Sequence, residues 1–94
     1  MSFFAVTYIY VDTPRHAEVR PAHRDYLRTL VGAGLLRASG PLVGVQPNEA
    51  LLIFEAPDAE AVDAALAVDP FQVEGLVDTT SVREWIPLIG VFAV

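Results

Sequence analysis

The 94-residue chain contains no cysteine and no lysine. Without cysteine there is no disulfide, no iron–sulfur cluster and no thiol nucleophile. Small secreted domains more often carry disulfides, so the expected compartment is the cytoplasm. All six basic residues are arginines; they face 12 Asp and Glu, for a net charge of −6. That balance argues against general nucleic-acid binding and against anionic membranes, because both select a basic surface. No apolar run approaches the roughly 18 residues that a membrane-spanning helix needs. Residues 1–11 are apolar but lack a basic start, and no signal peptide is expected. Repeats, low-complexity tracts and Gly/Ser-rich linkers are also missing, so the length fits a single domain, 1–94.

What the chain does have is apolar side chains: hydrophobic residues make up 53% of it, too many for a disordered segment. Residues 3–11 (FFAVTYIYV) are rich in β-branched and aromatic types and stop at Asp12-Thr13-Pro14, which predicts a strand. Both faces of that strand are largely apolar, so both should be covered. A helix follows, with Pro21 in its first turn, where a missing N–H costs nothing. From His23 the spacing is helical: His23, Tyr26, Leu27, Leu30 and Val31 share one face, and Arg24, Asp25 and Arg28 the other. Residues 15–20 fit either a short turn of helix or a loop. Gly32 and Gly34 end the helix, Gly34 as a left-handed cap.

Residues 35–45 read as a strand broken by Gly40-Pro41, hence an edge strand or a bulge. A turn at 46–49 leads to a central strand at 50–55 (ALLIFE). Asp58 is the expected N-cap of a second helix, which stops at Asp69-Pro70. A connector at 71–77 precedes a last strand at 79–86 (TTSVREWI), and the tail at 87–94 (PLIGVFAV) is apolar. The order β-α-β-β-α-β is the ferredoxin-like α+β plan, one antiparallel sheet with two helices on one face. Two helices leave the other sheet face bare, so a homodimer formed sheet to sheet is expected, with tail 86–94 at the contact. The other outcome is that the tail covers its own sheet as an extra strand.

Two residues stand out for chemistry. His23 lies on the apolar face near the start of the first helix, where the positive helix end should keep its imidazole neutral and suited to act as a general base. The competing reading is a buried His satisfied by one carbonyl. Asp69, at the end of the second helix, faces a negative dipole end and is electrostatically misplaced unless it meets a partner; otherwise it only starts a turn. In this plan the start of the first helix lies beside the end of the second, so His23 and Asp69 should share a rim, the carboxylate fixing the imidazole tautomer. Arg20 is either a solvated side chain or an anion clamp beside His23. Ser39 and Gly40 form either a plain bulge or a place of close backbone approach to a ligand. Tyr8 either faces the pocket or is a core Tyr with a satisfied hydroxyl. His16 lies in a polar, exposed stretch and is given no role. No Gly-rich phosphate loop, nucleophile elbow or metal-ligand spacing is present, so no cofactor and no metal are implied.

The run Arg20-Pro21-Ala22-His23-Arg24-Asp25-Tyr26-Leu27, then Gly34, then Ala38-Ser39-Gly40-Pro41-Leu42 resembles the YCII-related (YciI-like) family. So do residues 51–55, Asp69-Pro70-Phe71 and Val82-Arg83-Glu84-Trp85. The resemblance covers residues 3–85; it implies a ferredoxin-like fold paired as a dimeric α+β barrel and an active-site His and Asp falling on His23 and Asp69. One branch of the family looks like lyases that remove chloride from a chlorinated, hydroxylated aromatic ring, and the group is similar in fold to muconolactone isomerases. The tail is longer and more apolar than the usual family ending. The leading expectation is a small cofactor-free enzyme doing lyase or isomerase chemistry on a small aromatic or cyclic compound. The alternative is a non-catalytic dimeric module that binds a metabolite or serves a larger enzyme. A haem or ring-oxidising monooxygenase on the same barrel is the third reading and has the least support.

Overall fold

The computed structural model describes residues 1–44 and 48–93. Its elements are β1 (Ser2–Tyr10), α1 (His16–Gly32), β2 (Leu36–Leu42), β3 (Glu49–Ala56), α2 (Ala59–Ala67), α3 (Pro70–Val73) and β4 (Val77–Trp85). The strands form one antiparallel sheet in the order β2-β3-β1-β4. This is the ferredoxin-like α+β plan, with a one-turn helix added before the last strand. Alternate residues of the two central strands, Phe4, Val6 and Tyr8 on β1 and Ala50, Leu52 and Phe54 on β3, pack with Leu27 and Leu30 of α1 and Val62, Ala65 and Leu66 of α2. Their neighbours along each strand face the other way, as the two-residue period requires.

The first helix begins earlier than its sequence suggests. It starts at His16, which places Pro21 inside it and His23 two turns from its start. Pro21 forfeits one backbone hydrogen bond. Tertiary contacts hold the turns before it: Arg15 pairs with Glu74 at 2.9 Å, and the His16 ring nitrogens lie 3.0 Å from the carbonyl oxygens of Thr13 and Leu76. His16 is therefore half-buried, not exposed. At the far end Gly34 takes φ +78°, and the N–H groups of Leu35 and Gly34 donate to Leu30 and Val31. That pair of bonds closes the helix as a Schellman motif, and the left-handed residue it requires explains the glycine.

Edge strand β2 slips register between Leu36 and Ala38, so the bulge falls at Arg37, ahead of Gly40-Pro41. Val45 and the Gln46-Pro47 part of the expected turn lie outside the described residues. Asp58 caps α2 by accepting from Ala61 N–H at 2.9 Å. Residues 87–93 form no strand. Phe92 folds back so that its ring lies 5.7 Å from that of Phe3 and 6.1 Å from that of Trp85, centre to centre, while Leu88, Ile89 and Val91 stay exposed.

Candidate active site

Asp69 does not end a helix; it begins one. It is the N-cap of α3, and its Oδ1 accepts the Phe71 N–H at 3.0 Å. The misplacement expected from the dipole of α2 is thus absent, because the following turn offers a free donor. The same Oδ1 lies 2.7 Å from Nδ1 of His23, and Oδ2 accepts the Tyr8 hydroxyl at 2.8 Å. Asp69 is 0% exposed and His23 8%. Three elements converge on this carboxylate: β1 supplies Tyr8, α1 supplies His23 and α3 supplies the amide.

As a carboxylate Asp69 only accepts, so Nδ1 of a neutral His23 carries the hydrogen and Nε2 the lone pair. Nε2 has no hydrogen-bond partner, and among the described residues no buried side-chain nitrogen or oxygen lacks one. Nε2 is therefore open to solvent. It opens on a hollow of about 830 Å³, whose wall includes His23, Arg20, Tyr10, Phe71, Ser39 and Gly40. The arrangement can accept a proton at Nε2 and hold the resulting imidazolium against a buried counter-charge. The helix-end argument for a neutral His23 falls away, since His23 sits within the helix.

Of the other residues singled out in the sequence, exposed Arg20 and Ser39 border the hollow with Gly40. Tyr8 is absent from its wall: wholly buried, it stands behind Asp69. Burial, then the Asp69 charge, pushes its phenol well above the usual range. Tyr10 does line the hollow, and burial with the Asp69 charge raises its phenol to about 12, Arg20 pulling the other way. It stands there as a neutral hydroxyl.

The sequence reading passes over three wall residues. Phe71 stacks on His23 with ring centres 3.9 Å apart and planes within 10°; its only signal was its place two residues after Asp69. Arg24 and Arg28, assigned to the solvent face of the helix, line the hollow with Arg20; their four-residue spacing was the signal. Among the described residues no group of three or more His, Cys, Asp or Glu could hold a metal ion, and no helix is long and apolar enough to cross a membrane.

The fold has counterparts among solved structures. A 5-chloro-2-hydroxyhydroquinone dehydrochlorinase from Burkholderia phenoliruptrix AC1100, in complex with 2,5-dihydroxybenzoquinone, has a TM-score of 0.77 at 24% identity, over 88% of this chain and 92% of that one. An uncharacterized NIPSNAP domain protein from Burkholderia xenovorans has a TM-score of 0.62 at 13% identity, over 100% and 99%. An antibiotic biosynthesis monooxygenase has a TM-score of 0.54 at 20% identity, over 93% and 100%. No curated protein matches the chain. Residues 1–86 match the model of the YCII-related domain, and the chain belongs to that family.

Proposed function

We propose that the protein is a small enzyme in which His23 and Asp69 carry acid/base chemistry of the lyase or isomerase type on a small cyclic or aromatic compound, without a cofactor. One observation carries this reading: His23 gives Nδ1 to a buried carboxylate at 2.7 Å and keeps Nε2 free at the wall of the hollow. Nε2 takes a proton from the substrate and Asp69 stabilises the imidazolium. In an isomerisation the proton returns to another carbon of the rearranged product; in an elimination the freed electron pair forms the new double bond as the leaving group departs with its own pair, and the proton passes to water. Tyr8 and the Phe71 amide hold the carboxylate in line. The fold shared with a dehydrochlorinase supports the same class of reaction. The pairing of two copies through their open sheet faces belongs to this proposal, supported by the apolar residues there.

A second reading has its own support. A carboxylate that is wholly buried and accepts three bonds is also what a structural tie between β1, α1 and α3 requires, as in a module that only binds a ligand. NMR titration of the His23 imidazole in the wild type and in Asp69→Asn tests the first reading. The expected result is a titration that shifts with Asp69→Asn; an imidazole indifferent to that change defeats the acid/base role. Turnover and ligand binding in His23→Ala separate the two, since a lowered melting temperature is expected under both: a wild-type turnover that the variant loses while it still binds ligand marks the enzyme, and ligand binding with no wild-type turnover to lose marks the module.

A further inference from the structure

The protein is acidic, yet the hollow is not. Its wall carries Arg20, Arg24, Arg28, His16 and His23, and among the described residues Asp12 is its single acidic member. The three arginines follow one another at four-residue intervals and so stack along one side of α1. Arg28 is tied to Asp25 at 3.2 Å. Arg15 and Arg37 are likewise committed, to Glu74 and Glu55. Among the described residues Arg20 and Arg24 make no hydrogen bond and no ion pair, although the chain holds twice as many acidic as basic side chains. Two uncommitted guanidinium groups therefore sit one helical turn apart at the lip of the hollow. The wall also has an apolar part, Leu27 on α1 itself and Leu36, Pro41 and Leu42 on β2.

We propose that the ligand of this hollow is an organic anion: a small carboxylic acid whose carboxylate is held by Arg20 and Arg24 and whose apolar body lies against Leu27, Leu36 and Pro41. This deepens the acid/base reading, on which it rests for the place of the reacting atom, by naming the substrate class. A guanidinium presents paired N–H donors in a plane that matches the two oxygens of a carboxylate. Bonds of that charged kind are roughly twice as strong as neutral ones. The apolar wall sets a further requirement, since it rewards a hydrocarbon body and gives nothing to a bare inorganic ion. Held at its carboxylate by residues within one turn of His23 on α1, such a molecule presents its remaining atoms to Nε2.

The test uses benzoate, its neutral isostere benzamide and inorganic phosphate, with binding followed by isothermal titration and by amide shifts of the whole chain. Benzoate is expected to bind about tenfold or more tightly than benzamide. The Arg20→Gln/Arg24→Gln double variant should erase that preference, and Arg20→Lys/Arg24→Lys should keep part of it. Both arginines are exposed, so an unchanged melting temperature shows that the variants remain folded. Equal affinities for benzoate and benzamide, benzoate binding untouched by the double Gln variant, or phosphate binding as tightly as benzoate would each overturn the proposal. So would no binding of benzoate at about ten millimolar, where even a weak fragment registers. Failure of the acid/base reading shows up elsewhere: a His23 imidazole indifferent to Asp69→Asn leaves the benzoate preference intact.

Discussion

The two faces of the sheet are finished to different degrees. On the side covered by α1 and α2, Val6, Tyr8, Phe54 and Leu52 are buried to 1% exposure or less, and the polar groups among them have partners. On the other side Phe3 and Ile53 are buried, Thr7 and Leu51 only half so, and Trp85 is 37% exposed. The cover there is one turned-back ring, Phe92, with the Arg37 guanidinium 5.5 Å from its centre. One copy of the chain completes the first face and its polar site. The second face retains apolar surface of the kind that marks contact with another molecule.

Substitutions can break this contrast. The largest effect belongs to Asp69→Ala, which strands the Tyr8 hydroxyl, the Phe71 amide and Nδ1 of His23 in the covered interior. Urea denaturation should register a loss of about 3–5 kcal/mol, much of the total stability of a small domain. Leu51→Glu, at the middle of the open face beside Thr7, leaves that network alone. If two copies meet there, sedimentation equilibrium should show dissociation raised on the order of a hundredfold, because a carboxylate enters an apolar contact. A sedimentation profile unmoved by Leu51→Glu would remove this face as the interface.

Tyr8→Phe should cost about 1–3 kcal/mol in the same urea experiment, since Oδ2 of Asp69 loses its donor. The phenols also set an alkaline limit. The Tyr10 hydroxyl titrates near 10 in an unfolded chain and at about 12 here, so the folded state holds its proton more tightly. That contribution is complete below pH about 10 and fades as pH rises through about 12. Urea midpoints should therefore fall as pH rises from about 10 towards about 12, and fall less in Tyr8→Phe, which lacks one of the raised phenols, Tyr8, Tyr10 and Tyr26. Phe92→Ala, on the open face, should have the smallest effect, about 0.5–1.5 kcal/mol from its lost contacts with Phe3 and Trp85.

The β-α-β-β-α-β order of elements, the Gly34 cap, the Asp58 cap and the pairing of His23 with Asp69 could all be read from the chain, because each depends on local spacing or on a topology with few alternatives. The start of α1 could not. Propensity places Pro21 at a helix start, and the contacts that override it, Arg15 to Glu74 and His16 to Leu76, join residues about sixty positions apart. For Asp69 the topology alone gives the meeting with His23, but not its place on a helix: the Asp-Pro signal for a stop at the end of α2 is equally a signal for a start, and only the turn that follows decides. Tyr8 faced the core rather than the hollow because the depth of a strand residue is set by what packs above it, which alternation does not reveal. Arg24 and Arg28 were legible as sharing one helix face, but whether that face borders water or a hollow depends on where β2 runs.

Phe71 serves the site twice, with unequal vulnerability. Its ring lies flat on His23, and its main-chain N–H holds Asp69. Replacing the side chain removes the first function and leaves the second untouched, so an alanine scan will understate what this residue does. The amide is exposed to loss only through the path of the backbone. Insertions, deletions or a proline at 71 would therefore disable the carboxylate while every named side chain of the pair stayed in place.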